Sequence, residues 1–216
     1  MNDALIAKAE TFLKDIFAES SYLSACPTDR DYRLEHSYRV ANIAKNIAEA
    51  EGFNVTHAVI AGLLHDIAYC EEMLTREDKI NHGRRSAAIA RPFLESLGLS
   101  ADVVNEICYG IAIHVDDQAD FEWKRTPFCE TVGDADNIDR FDVYRVYESL
   151  QFIRFNEMPL AEKQSRVDSI IDKLTQYKEI KLGTETATKL WIERLDYQLG
   201  FYAKMKAQLE NSTTIL

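Results

Sequence analysis

The stretch that decides the fold is AGLLHDIAYC, residues 61–70. The seven residues before His65, at positions 58–64, are all apolar or small, and further apolar residues follow the adjacent Asp66. A helix that is apolar on every side is normally buried. Burying an ionised carboxylate is costly unless it is paired or bound to a metal. The sequence therefore predicts a cationic partner for Asp66.

Helical periodicity of apolar residues continues on both sides of this stretch. Four prolines and eight glycines in 216 residues leave few signals for strands and tight turns. We therefore predict an all-α protein with a loop over residues 20–31. The predicted helices lie near residues 5–16, 34–51, 56–70, 81–98, 101–114, 128–140, 143–153, 159–178 and 184–208.

Composition narrows the class of protein. The net charge is −11, from 25 basic and 36 acidic residues, which argues against general binding to nucleic acids or anionic membranes. No apolar run is long enough for a membrane span, and the first residues do not resemble a secretory signal. The four cysteines show no CxxC spacing, so we expect reduced thiols in a cytoplasmic protein of a single domain.

Three further histidines are predicted at helix ends, where side chains can converge around a cleft. They are His36, His82 and His114, and His36 lies on the helix that should run antiparallel to the helix of Asp66. The His65–Asp66 pair by itself is also consistent with a metal-free explanation. In that explanation the two side chains form a buried hydrogen bond, or Asp66 pairs with an arginine.

Four segments together resemble a known family. They are HSYRVANIA (36–44), AGLLHDIA (61–68), NHGRRSAAIA (81–90) and DADNID (134–139). The pattern of His36, then His65–Asp66, then Asp136 is similar to the H…HD…D signature of the HD-domain superfamily of metal-dependent phosphohydrolases. The resemblance covers about residues 30–140.

This resemblance implies a helical bundle with the site between helices. It implies metal ligands at His36, His65, Asp66 and Asp136, with Asp66 also as a catalytic residue that orients water. We expect the additional C-terminal helices, at about residues 141–210, to pack on the HD-like core within one domain, 1–216.

Other residues carry alternatives that the sequence leaves open. The resemblance implies that His82 and His114 hold a second metal or face the substrate phosphate. The alternative is that they are solvent-exposed or only support the ligands from behind. Arg85 is the candidate phosphate ligand. The alternative is that it belongs to a basic face exposed to solvent. Asp134 and Asp139 would be surface charges, although Asp139 shares the helix side of Asp136 and could support it.

The implied function is hydrolysis of a phosphoester or phosphoanhydride of a small metabolite, with a nucleotide as the leading candidate, by metal-activated water. Mixed imidazole and carboxylate ligands favour Mn, Fe, Co, Ni or Zn. Two alternatives remain: a non-catalytic module that senses a nucleotide or a partner chain, and a di-iron oxygenase on the same scaffold. The expected partner is a small phosphorylated substrate, and self-association into a homo-oligomer stays open.

Overall fold

The fold is all-α, as the sequence predicts. A computed structural model describes residues 2–212, and this range contains no strand. Within this range, two short 3₁₀ helices, Ile67–Cys70 and Phe155–Glu157, accompany ten α-helices. The α-helices are α1 (Asn2–Glu19), α2 (Ser21–Ala25), α3 (Pro27–Glu51), α4 (Val55–Leu64), α5 (Arg76–Ser96), α6 (Ala101–Ile113), α7 (Pro127–Arg140), α8 (Val143–Phe152), α9 (Leu160–Tyr177) and α10 (Glu185–Glu210).

The chain divides into two compact units, Met1–Asp136 and Asn137–Leu216. The first unit contains α1 to α6 and most of α7, and the second contains α8 to α10. That the whole chain forms one domain, with its C-terminal helices packed on the core, stays a prediction. Among residues 2–212, no helix combines the length and the apolar character that a bilayer span requires.

Helix α4 forms the centre of the first unit and packs against α1, α3 and α6. It begins at the cap Asn54, whose side chain accepts a hydrogen bond from the His57 amide. Just before it, α3 ends at Glu51 and is capped by Gly52, whose φ of 72° suits glycine. Further along α4, Gly62 lets its backbone approach α3, because a Cβ atom there would lie 2.7 Å from Ala41 Cα. This contact brings the two helices together one turn before His65.

The predicted loop over residues 20–31 is wrong. Ser20 caps α2 by accepting a hydrogen bond from the Leu23 amide, and α3 already begins at Pro27. Proline breaks a helix interior but fits the first turn, where its missing N–H would have no partner. The proline that suggests a loop in the sequence is therefore the residue that starts a helix.

The predicted helix over residues 56–70 is too long. Helix α4 ends at Leu64, His65 and Asp66 form a turn, and Ile67–Cys70 is a 3₁₀ helix. The continuous apolar composition hides this end, because both the helix and the turn are buried. His65 keeps helical backbone angles, whereas Asp66, with φ of −107° and ψ of 14°, departs from the helical repeat.

The start of α5 lies five residues earlier than predicted. Thr75 caps this helix by accepting from the Asp78 amide, and the Asp78 carboxylate accepts from the Thr75 amide. This reciprocal capping box satisfies two amides that would otherwise lack partners. The capping box therefore sets where the helix that carries His82 begins.

The second unit has a small aromatic core of its own. Phe141 packs edge-on against Tyr177 and Trp191, and the Trp191 indole donates to the Tyr177 carbonyl at 3.0 Å. Leu195 on α10 is also buried. Phe141, Tyr177 and Trp191 thus serve packing within this unit.

Candidate metal centre

The side chain of Asp66 lies at the centre of a group of histidines. Its Oδ1 atom is 3.0 Å from Nε2 of His82, 3.6 Å from Nε2 of His114 and 3.7 Å from Nε2 of His65. Its Oδ2 atom is 3.6 Å from Nε2 of His36. The carboxylate is 4% exposed. All four imidazoles therefore turn the same ring nitrogen towards one buried carboxylate.

The sixth residue of the group is Asp136 on α7, whose Oδ1 atom lies 3.2 Å from Nε2 of His36. We call the six residues together the His/Asp cluster: His36, His65, Asp66, His82, His114 and Asp136. Five different helices or helix ends supply them, from α3 to α7. The structure thus brings together all six histidine and aspartate residues that the sequence singles out as ligands or candidate ligands.

Backbone carbonyls orient three of the four imidazoles. Nδ1 of each ring lies at hydrogen-bond distance from the carbonyl oxygen three residues earlier: 2.8 Å for His65, 2.6 Å for His82 and 2.6 Å for His114. A carbonyl oxygen can only accept, so each Nδ1 carries the proton and donates it. In the neutral ring, Nε2 then carries no proton, and its lone pair faces the cluster as a possible metal ligand. This is the arrangement in which a histidine binds a metal.

The ring nitrogens meet in two close pairs. Nε2 of His65 is 3.2 Å from Nε2 of His36, and Nε2 of His82 is 3.0 Å from Nε2 of His114. Two unprotonated nitrogens at this distance repel each other unless a proton or a metal ion lies between them. The His82–His114 pair, in which both Nδ1 atoms donate to carbonyls, therefore favours an added proton or a metal ion. In the His36–His65 pair, a proton on Nε2 of a neutral His36 ring meets the same need.

Two sets of three residues place their ligand atoms close enough to share an ion. One set is His36, His65 and Asp66, and the other is Asp66, His82 and His114, each with its atoms within 4.8 Å of one another. Imidazole and carboxylate donors suit a divalent transition metal. The residues therefore fit a metal, and Asp66 belongs to both sets.

Burial and charge set the protonation of the cluster. Burial lowers the pKa of His65 to about 4, so this ring is neutral at pH 7. Burial alone would raise the pKa of Asp136, but the hydrogen bond from His36 and the nearby His65 lower it to about 2. The same competition, with His65 as the main opposing neighbour, holds the pKa of Asp66 well below its usual range. A neutral imidazole and two ionised carboxylates are the forms that bind metals.

Arg33 is a contact of the cluster that the sequence interpretation missed. Its Nη1 atom donates to Oδ2 of Asp66 at 2.9 Å, and its guanidinium carbon lies 3.3 Å from the centre of the Tyr69 ring. Tyr69 in turn packs against His82, with ring centres 4.9 Å apart. The available signal was spacing, because Arg33 precedes His36 by three residues and so shares its helix face. The pairing of Asp66 with an arginine, one of the metal-free alternatives, is thus present beside the histidines.

Three other residues singled out in the sequence do not belong to the His/Asp cluster: Arg85, Asp134 and Asp139. Arg85 is half exposed and forms an ion pair with Glu71, so its role as a phosphate ligand stays a prediction. Asp134 and Asp139 are buried, 6% and 2% exposed, and the expectation that they are surface charges is wrong. Burial depends on the elements around α7, which a single helix pattern does not specify.

The HD domain family model matches residues 33–144, just over half of the chain. The chain belongs to the HD domain family. The matched range of this HD domain contains Arg33 and all six residues of the His/Asp cluster. No curated protein matches the sequence.

A crystal structure with a similar fold is that of a protein described as a predicted HD superfamily hydrolase, from an uncultured Thermotogales bacterium. It shares 21% sequence identity with this HD protein at a TM-score of 0.64. The match covers 94% of this chain and 91% of the other. At this identity, the likeness shows a common fold, and that fold extends over the C-terminal helices as well as the HD domain.

Proposed function

We propose that this HD protein is a metal-dependent phosphohydrolase that cleaves a phosphoester or phosphoanhydride bond of a small metabolite, with a nucleotide as the leading candidate. One observation carries the proposal: four imidazole Nε2 atoms converge on the buried carboxylate of Asp66. Family membership supports the reaction class. The nucleotide is the substrate that the sequence resemblance implies.

The His/Asp cluster would hold one or two ions. His36, His65, Asp66 and Asp136 would bind the first, and His82 and His114 would bind a second with Asp66 as a shared ligand. A bound divalent metal lowers the pKa of water and polarises the phosphorus centre. The carbonyl contacts of His65, His82 and His114 would keep their Nε2 atoms in position for this role.

The substrate phosphate needs a cationic partner from the protein. Arg33 is the arginine in contact with Asp66, and its side chain is 25% exposed, so it can reach both the cluster and an incoming anion. A guanidinium can bind two phosphate oxygens at once. We propose Arg33 as the first phosphate contact and keep Arg85 as the second candidate.

The experiment compares two histidine variants of the full chain. His65→Ala removes a buried ligand, whereas His57→Ala removes a half-buried histidine at the start of α4, away from the cluster. We expect His57→Ala to bind Mn²⁺ and to hydrolyse a panel of nucleotides and phosphomonoesters like the wild type. We expect His65→Ala to lose both properties. Mn²⁺ binding without turnover of any compound in the panel would instead support a sensing module.

A di-iron oxygenase is the second candidate function, because it requires both His82 and His114 in the centre. Both are present, with Nε2 atoms 3.0 Å apart. Two irons per chain together with oxygen consumption would favour this function. Phosphate release without oxygen consumption would exclude it.

A further inference from the structure

Arg33 places its positive charge beside Asp66, the more buried of the two carboxylates in the His/Asp cluster. Its guanidinium donates to Oδ2 of Asp66 at 2.9 Å, and the same oxygen faces Nε2 of His36 at 3.6 Å. Asp66 Oδ2 is therefore shared between an arginine and the set of atoms that would hold the first ion. The arginine partly neutralises a carboxylate that is 4% exposed.

A dication bound at His36, His65 and Asp66 would lie within a few ångströms of this guanidinium. Like charges at such a distance, away from bulk water, repel each other far more strongly than on an exposed surface. Arg33 and the ion thus stabilise the same carboxylate but destabilise each other. Arg33 in its present position should weaken binding of the metal.

The surroundings of Arg33 allow it to leave Asp66 without leaving the site. Its guanidinium carbon lies over the Tyr69 ring at 3.3 Å and 5.3 Å from the centre of the Tyr32 ring. These aromatic faces attract a guanidinium without fixing its hydrogen-bond partner. The side chain is also 25% exposed, so it can turn its donors to an anion arriving from solvent.

We propose that Arg33 competes with the metal for Asp66 and that a phosphate anion relieves this competition, so that the metal and phosphate bind cooperatively. The inference rests on the proposed function, since it assumes a metal at Asp66. By thermodynamic reciprocity, a phosphate that tightens metal binding is itself bound more tightly in the presence of metal. The site would therefore fill with metal most readily when a phosphorylated substrate is present.

The opposite role for Arg33 makes an opposite prediction. If Arg33 only held the Asp66 carboxylate in place as a support for the ligand, its removal would weaken metal binding. The sign of the change in metal affinity decides between the two roles.

The experiment measures the Mn²⁺ dissociation constant by calorimetry for the wild type, Arg33→Met and a control, Arg30→Ala. Methionine keeps much of the apolar stem but removes the charge. Arg30 lies one turn earlier on the same helix, pairs with Asp31 and is 39% exposed, so its variant has the same change in net charge away from the cluster. Each protein is titrated with and without inorganic phosphate at constant ionic strength.

We expect Arg33→Met to bind Mn²⁺ more tightly than the wild type, by about 5- to 150-fold, the usual range of coupling between two sites. Phosphate should tighten Mn²⁺ binding to the wild type and to Arg30→Ala, and have a much smaller effect on Arg33→Met. Complexation of Mn²⁺ by free phosphate is the same for all three proteins and cancels in their ratios.

Equal or weaker Mn²⁺ binding by Arg33→Met would overturn the inference and leave the proposed function intact. Failure of the wild type to bind any divalent metal would overturn the proposed function itself. If Arg33→Met does not fold by circular dichroism, Arg33→Gln provides the test. Glutamine removes the charge but keeps a polar end, so this variant should bind Mn²⁺ more tightly than the wild type, and equal or weaker binding would again count against the competition.

Discussion

Gly62 sets how closely α3 and α4 can approach beside the His/Asp cluster. A Cβ atom at this position would lie 2.7 Å from Cα of Ala41, 3.0 Å from its backbone nitrogen and 3.3 Å from the Val40 carbonyl carbon. Carbon atoms pack best at about 3.5–4.0 Å, so Gly62→Ala requires the helices to separate by roughly 1 Å. Backbone atoms cannot rotate away as the end of a side chain can.

The expected cost follows from two opposing effects. Alanine in a helix interior gains about 1 kcal/mol over glycine, whereas overpacking costs about 1–3 kcal/mol. We therefore expect Gly62→Ala to lower the free energy of unfolding by up to about 2 kcal/mol. Because α3 carries His36 and Gly62 lies in the last turn of α4, the same displacement should move His36 away from His65 and weaken Mn²⁺ binding.

Gly133→Ala is the matched control in the same unit. A Cβ atom there would meet its nearest neighbour, Cα of His114, at 3.4 Å, an ordinary contact. Urea unfolding should show Gly133→Ala as stable as the wild type or up to about 1 kcal/mol more stable. If Gly62→Ala matches this control in both stability and Mn²⁺ affinity, the argument that Gly62 sets the spacing of the site is refuted.

Three further predictions concern protonation, hydroxyl groups and a ligand carboxylate. In metal-free protein, the lowered pKa of His65 means that the unfolded chain takes up its proton first, so the His65 contribution to stability is complete above about pH 6.5 and falls by about 3 kcal/mol as pH drops to 4. The raised pKa of His114 acts with the opposite sign in the same range, so the His65 contribution is measured as the difference between the wild type and His65→Gln in urea unfolding with a chelator. Equal pH dependence of the two proteins would contradict it. Ser37→Ala should leave the free energy of unfolding unchanged or raise it by about 1 kcal/mol, because the buried Ser37 hydroxyl has no hydrogen-bond partner within residues 2–212. Ser86→Ala should instead lower it by about 1–3 kcal/mol, since the Ser86 hydroxyl accepts from the Ala68 amide at 3.1 Å, and equal effects of the two changes would count against this assignment. Asp136→Asn should weaken Mn²⁺ binding at least about tenfold, since it removes a charged ligand beside His36, and unchanged affinity in calorimetry would remove Asp136 from the site.

Much of the fold follows from local sequence because helices are local structures. The apolar repeat along α6 and the cap at Ser100, which accepts from the Val103 amide, are both recognisable in the sequence. The end of α4 is not, because the residues on both sides of the His65–Asp66 turn are equally apolar. Nothing local distinguishes a buried helix from a buried turn in such a run.

The residues of the site also differ in whether the local sequence identifies them. The spacing of His36, His65–Asp66 and Asp136 carries the family resemblance, so the sequence singles these residues out directly. The approach of His82 to His114 depends on how α5 and α6 cross, and the sequence leaves their role open for that reason. Arg33 escapes notice in the sequence because its partner, Asp66, lies 33 residues away and their contact exists only after α3 and α4 have packed.

Anomalous X-ray diffraction from crystals soaked in Mn²⁺ tests the central claim most directly. The account predicts a peak at about 2.0–2.3 Å from Nε2 of His36 and His65 and from carboxylate oxygens of Asp66 and Asp136, with room for a second at His82 and His114. Soaking in saturating Mn²⁺ together with inorganic phosphate that leaves no anomalous density in the His/Asp cluster would contradict it.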